Sequence, residues 1–290
     1  MKRNKLVIAM GLAGAVLVGC NSSGSDDKKE TTAIDGYIVN GLVTMKCTND
    51  NSTGTFTGRT DNVGIVRIDT ASYSLADCTS SITGDAGTYD YDQPALPWLH
   101  TMKTIPGLAV INPFTDIAAL LFENDPTLEG TALLEAVYAA LDIPASLIPA
   151  SSDLFVDFGT NNVNRVAKMS VLSESVFATI VKLKDAVPAG TSAKNLVSLF
   201  KAVLPKATSA VVAYIAANPS LDLTKVVFIP ALPTLPVIEF DADGDVTTDL
   251  SGLDIAITHI DKPAKDTPPQ ATGATGATGG TGGIGSSAGS

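Results

Sequence analysis

Asn112-Pro113-Phe114-Thr115-Asp116-Ile117-Ala118-Ala119-Leu120-Leu121 divides the chain into two halves of different character. Asn112 is a helix-capping residue type. Pro113 follows at the first helical position, where its missing N–H costs nothing, and Asp116 sits in the first turn near the positive end of the helix dipole. The segment before it is rich in Thr, Asn, Asp and Gly, and the segment after it in Ala, Val and Leu. This shift predicts an α+β protein of two domains, a β-sandwich over 33–111 and a mainly helical domain over 112–262.

Upstream, short apolar runs alternate with turn signals about every ten residues, the spacing of a β-sandwich. Ala33–Val39 and Leu42–Cys47 flank Asn40-Gly41, which reads either as a hairpin turn or as a corner between sheets. Thr55–Arg59, Ile65–Ile68 and Tyr73–Cys78 continue the pattern. Cys47 and Cys78 are an even pair once Cys20 is set aside, and in an exported chain they are expected to form a disulfide. In the chain-entropy account that bond stabilises the fold by roughly 3–4 kcal/mol.

Ile34-Asp35-Gly36-Tyr37-Ile38, Gly41-Leu42-Val43 and Thr60-Asp61-Asn62-Val63-Gly64 resemble the turns of carboxypeptidase-regulatory-like, transthyretin-like and collagen-adhesin B-type sandwiches of bacterial surface proteins. The resemblance implies an Ig-like fold. It departs from the family at Cys47-Thr48-Asn49-Asp50-Asn51, where an acidic loop is usual, and it carries no catalytic signature. In many large surface proteins such a sandwich runs into a helix start similar to Asn112–Leu121.

Downstream, Thr131–Leu141 predicts a helix ending before Pro144. A long helix is expected from Asn162 to Asp185, with Met169, Leu172, Val176, Ile180 and Leu183 on one face. Ser192 starts another helix, expected to stop at Pro205, with a further helix from Thr208 or Ser209 to Asn218. Val226–Ile229 and Val237–Phe240 are candidate edge strands returning to the sandwich, and Ile255–Ile260 a further strand.

At the N-terminus, Lys2, Arg3 and Lys5 precede the apolar run Leu6–Val18, which is too short to span a bilayer comfortably and reads as a secretory signal over 1–19. Leu17-Val18-Gly19-Cys20 resembles the lipobox of bacterial lipoproteins. That resemblance implies cleavage before Cys20, a diacylglycerol thioether on its sulfur, and an acyl chain such as palmitate on its amino group. Two or more acyl chains hold a protein stably at a membrane. Asn21 in place of an aspartate points to the outer membrane in the enterobacterial pattern. Residues 20–32 read as a flexible tether, and 263–290, with Gly273, Gly276 and Gly279 at every third position, as a disordered Gly/Ala/Thr-rich tail.

The formal charge is −11, and setting aside Lys2, Arg3 and Lys5 takes it to −14. A chain this acidic is repelled by nucleic-acid phosphates, which excludes nucleic acid as a partner class. Asp241, Asp243, Asp245 and Asp249 place carboxylates at alternate positions, a weak candidate for Ca²⁺ through oxygen ligands. Its rival is an acidic turn, since Val246 and Gly252 stand where a calcium loop has glycine and glutamate. Tyr89, Tyr91 and Trp98, with Asp90 and Asp92, are candidates for a carbohydrate surface, against a plain solvated loop. His100 and His259 stand alone, and no HExxH, CxxC pair or phosphate loop occurs. No catalytic residue and no cofactor beyond weak Ca²⁺ is assigned. The expected function is a non-enzymatic, lipid-anchored envelope protein, displayed for adhesion or for contact with carbohydrate, matrix or envelope protein. A periplasm-facing scaffold is the alternative and a hydrolase the third.

Overall fold

The computed structural model describes residues 28–50, 52–150, 152–158 and 163–263; the stretch read as a signal, Cys20 and residues 264–290 lie outside the described residues. Nine strands come first: β1 Lys28–Ala33, β2 Ile38–Val39, β3 Leu42–Thr48, β4 Thr53–Arg59, β5 Ile65–Asp69, β6 Cys78–Thr83, β7 Tyr89–Asp90, β8 Thr101–Lys103 and β9 Val110–Ile111. Four helices follow, α1 Pro113–Asn124, α2 Gly130–Leu141, α3 Val163–Asp185 and α4 Ala193–Ala217, then strands β10 Val226–Ala231 and β11 Ala256–Asp261. The protein is therefore mixed α+β, as the sequence predicts.

β4-β3-β6-β8 form an antiparallel sheet, and β5-β1-β9 a second sheet in which β1 and β9 run parallel. Alternation along β3 turns Val43, Met45 and Cys47 inward, where they meet Val66 and Ile68 of β5 and Ile82 of β6 in one buried cluster. Cys47 and Cys78 stand directly opposite in the β3–β6 register, with Cα atoms 3.9 Å apart, and are joined by a disulfide. Asn40, at φ 59°, turns the chain from β2, which pairs with β7, into β3, so Asn40-Gly41 is a corner between sheets rather than a hairpin.

β1 begins inside the stretch read as tether. Lys28–Thr32 has no apolar residue, but backbone pairing with β5 needs none. Glu30 pairs with Arg67 across the strands at 2.7 Å, and Thr31 and Ala33 turn into the core.

The cap of α1 forms as its residues require. The Asn112 side chain accepts from the Thr115 N–H at 2.8 Å, and the Asn112 N–H donates to Thr115 Oγ1 at 2.8 Å. Asp116, buried in that first turn, accepts from the Lys103 N–H at 3.1 Å and pairs with Lys184 of α3 at 2.9 Å. One side chain thus joins β8, α1 and α3. α4 is a single helix, with Pro205 inside it, where the sequence predicts two. A mid-helix proline costs about 3 kcal/mol, but Leu199, Phe200, Val203, Leu204, Ala207 and Val211 bury one continuous stripe across it. Packing of both halves on the same core outweighs the lost hydrogen bond. α4 is long and apolar enough to cross a membrane, yet this stripe is what it spends on the core.

β10 and β11 pair with each other in a sheet of their own, packed on α3 and α4, rather than returning to the first sheets. Each has a free edge, which accommodates Pro230 within β10. Val237–Phe240 forms only an isolated bridge, Phe240 to Val246.

Candidate functional site

The β half and the helical half meet at a buried group of charges. Asp35 and Gly36 stand in the turn before β2, Asp90 ends β7, and Asp92 follows it. Glu174 comes from the middle of α3, and Lys262 lies just past β11. Lys262 Nζ donates to Asp92 Oδ2 at 2.6 Å and to Glu174 Oε1 at 3.0 Å. Its backbone is fixed as well, its N–H donating to the Lys225 carbonyl at 2.7 Å.

Each acid is held by its neighbours. Asp90 accepts from the backbone N–H groups of Asp92 and Gly36. A Cβ on Gly36 would lie 1.9 Å from Asp90 Oδ1, so only glycine admits that carboxylate. Glu174 also accepts from the Phe228 N–H of β10 at 3.3 Å and from Ser170 at 3.2 Å. Asp35 differs: its Oδ1 is buried without a hydrogen-bond partner.

Four acids face one internal ammonium, and their ionisation reflects it. Burial, reinforced by the charges of Asp90, Glu174 and Asp92, holds Asp35 well above the usual carboxylate range. Burial, and next the neighbouring Asp92, push Asp90 up to about 7. Burial pushes Glu174 up to about 8, although the Lys262 ammonium pulls it down. Burial opposes the charge on Lys262, but Glu174 and Asp92 win and raise its pKa.

Two cavities open on this cluster. One, of about 270 Å³, is lined by Tyr37, Asp92, Ser170 and Lys262. The other, of about 370 Å³, has Asp35, Asp90 and Glu174 in its wall and an apolar side made of Trp98, Phe177 and Phe228. Asp35 lines both. Trp98 stacks on Phe177 with ring centroids 5.8 Å apart, and its indole N–H is buried without a partner. Leu96 and Ile229, both exposed, line the same cavity.

The residues expected to bind carbohydrate stand at different depths. Trp98 is 5% exposed, turned inward onto α3, while Tyr89 and Tyr91 are half-buried in the β2–β7 pairing and the turn after it. Asp90 and Asp92 face Lys262 instead of solvent sugars. The aspartates expected to hold Ca²⁺ are not brought together. Asp241 accepts from the Asp245 N–H at 2.9 Å, Asp245 approaches Ser198, and Asp249 accepts from the Ser251 N–H. Among the described residues no three His, Cys, Asp or Glu side chains stand in a group that could hold a metal ion. Asp241 and Asp249 thus accept from backbone N–H groups of their own turns.

The sequence pattern assigns no site role to Asp35, Glu174 or Lys262. Glu174 carries a legible signal, since Val171, Phe177 and Val181 make a second apolar stripe on α3 with Glu174 inside it. Lys262, at the head of a Pro/Lys-rich stretch, carries none. No family model, no curated protein and no solved structure matches the chain.

Proposed function

We propose that the chain is a non-enzymatic, lipid-anchored envelope protein whose folded head is a binding or structural module. The observation that carries this reading is the Cys47–Cys78 disulfide, buried between paired strands. Structural disulfides belong to exported chains, and a short apolar run ending in Leu17-Val18-Gly19-Cys20 supplies the export signal and the anchor. The facing sheets and their corner at Asn40-Gly41 are what an Ig-like sandwich would contain. Lys28, where β1 starts, follows Cys20 by only eight residues. A chain that long reaches at most about 28 Å, which keeps the head close to the membrane.

Two features weigh against the rival readings. A scaffold docking through its helices needs an apolar helical face, but the large exposed hydrophobics among the described residues, such as Leu96, Leu99 and Val237, lie outside the helices. A hydrolase would share the raised carboxylates, but Asp92 and Glu174 are engaged by an internal ammonium and Asp90 by backbone N–H groups. The test is Cys20→Ser with membrane fractionation, followed by protease shaving of intact and lysed cells. Release of the variant from the membrane and cleavage of the wild type on intact cells are expected. A variant that stays membrane-bound would overturn the anchor, and protection until lysis would overturn surface display.

A further inference from the structure

The cluster holds more carboxyl groups than its own lysine could balance were all of them ionised, and it borders an apolar cavity with unmet hydrogen bonds. From Asp35 Oδ1, a buried acceptor without a partner, and Trp98 Nε1, a buried donor without a partner, both on residues lining the 370 Å³ cavity, we infer that this cavity binds a small organic amine carrying an acceptor oxygen on an apolar body. Both atoms are closed to a water molecule, so a ligand reaches them through side-chain adjustment at Asp35 and Trp98, and satisfying them recovers the cost of leaving them orphaned. The ammonium would meet Asp35, with Asp90 and Glu174 beside it. The apolar body would lie against Trp98, Phe177 and Phe228, which offer the flat faces such frames pack on. A cavity of this size suits a ligand of about ten heavy atoms.

The charges facing the cavity fix the sign of the preference. Asp35, Asp90 and Glu174 line it directly, and Asp92 stands behind them. The opposing cations are Lys262, already shared between Asp92 and Glu174, and Lys182, whose ammonium donates to the Pro230 carbonyl at 3.1 Å. His100 adds no charge near neutrality, because burial holds its pKa down. A carboxylate ligand would meet like charge there. An amine would displace protons from the acids, so its affinity should rise with pH while the amine itself stays protonated. The inference stands on the cavity alone and does not require the lipid anchor.

Trp98 is the chain's single tryptophan, so its fluorescence reads this cavity and no other. Full-length protein is titrated with 2-amino-1-phenylethanol, with the uncharged 1-phenylethane-1,2-diol, and with mandelate. The amine should change Trp98 emission saturably, the diol should bind at least about tenfold more weakly, and mandelate should not bind. Asp35→Asn, which removes charge without changing size, should weaken the amine by at least about tenfold and leave the diol unchanged. Calorimetry on the wild type in buffers of differing ionisation enthalpy should show protons released with the amine. Equal affinity for amine and diol, undiminished affinity in Asp35→Asn, or no saturable response to the amine would each overturn the inference.

Discussion

Two of the acid–lysine contacts near the meeting of the β half and the helical half are built differently. At the first, Asp116 meets Lys184 at 2.9 Å and takes the Lys103 N–H with its other oxygen, so one acid faces one lysine and both oxygens are used. At the second, Asp92 and Glu174 share Lys262, Asp35 and Asp90 stand beside them, and an oxygen of Asp35 has no partner. The first is what a joint needs. The second exceeds it in charge, and the excess borders a cavity. Holding two layers together accounts for Lys262, Asp92 and Glu174; it does not account for Asp35.

Removing the central cation should have the largest effect. Lys262→Met leaves buried acids without their counter-charge and should lower stability by about 3–5 kcal/mol in urea denaturation. A loss under about 1 kcal/mol would show that the cluster tolerates its own charge without the lysine. Next, Cys47→Ala/Cys78→Ala opens a loop of sequence separation 31 and should cost about 3–4 kcal/mol, read as a lower denaturant midpoint with the helical signal lost in the same transition. Uncoupled β and helical transitions would instead show that the two halves fold separately.

The pH dependence separates the contacts further. Asp90 and Glu174 have folded pKa values raised to about 7 and about 8, so the folded protein holds their protons more tightly than the unfolded chain does. Their contribution is full below the ordinary carboxylate range and is lost as pH rises through these values. Melting temperature should therefore fall between mildly acidic and mildly alkaline buffer, and Asp90→Asn should flatten that fall; a wild-type curve flat across this span would contradict the surplus of buried charge. Asp35→Asn should raise stability by on the order of 1 kcal/mol in alkaline buffer, since it deletes charge that nothing in the protein pairs. Lys184→Met, at the balanced and more exposed contact, should cost about 1 kcal/mol or less.

Much of this architecture was legible in local chemistry. Asn112-Pro113 and Asp116 mark the α1 start because capping is decided within four residues, and the pairing of Cys47 with Cys78 follows from their even number. What was not legible depended on partners distant in sequence. β1 is polar and gains its place only from β5. Pro205 stays inside α4 because packing on both sides of it outweighs the break. The cluster draws on positions 35, 90, 92, 174 and 262, and the sequence displays Asp90 and Asp92 beside tyrosines, which suggests a surface that the fold turns inward.

Carbon-13 NMR titration of the Asp and Glu carboxyl carbons reads the surplus charge most directly, with Asp90→Asn and Glu174→Gln to assign the signals. The expected result is carboxyls titrating near 7 and 8 for Asp90 and Glu174, beside Asp35 well above the ordinary range, each variant removing one step and shifting the others. Every carboxyl titrating in the ordinary acidic range would contradict it, and Asp35 would then be one more ionised side chain in a compensated joint.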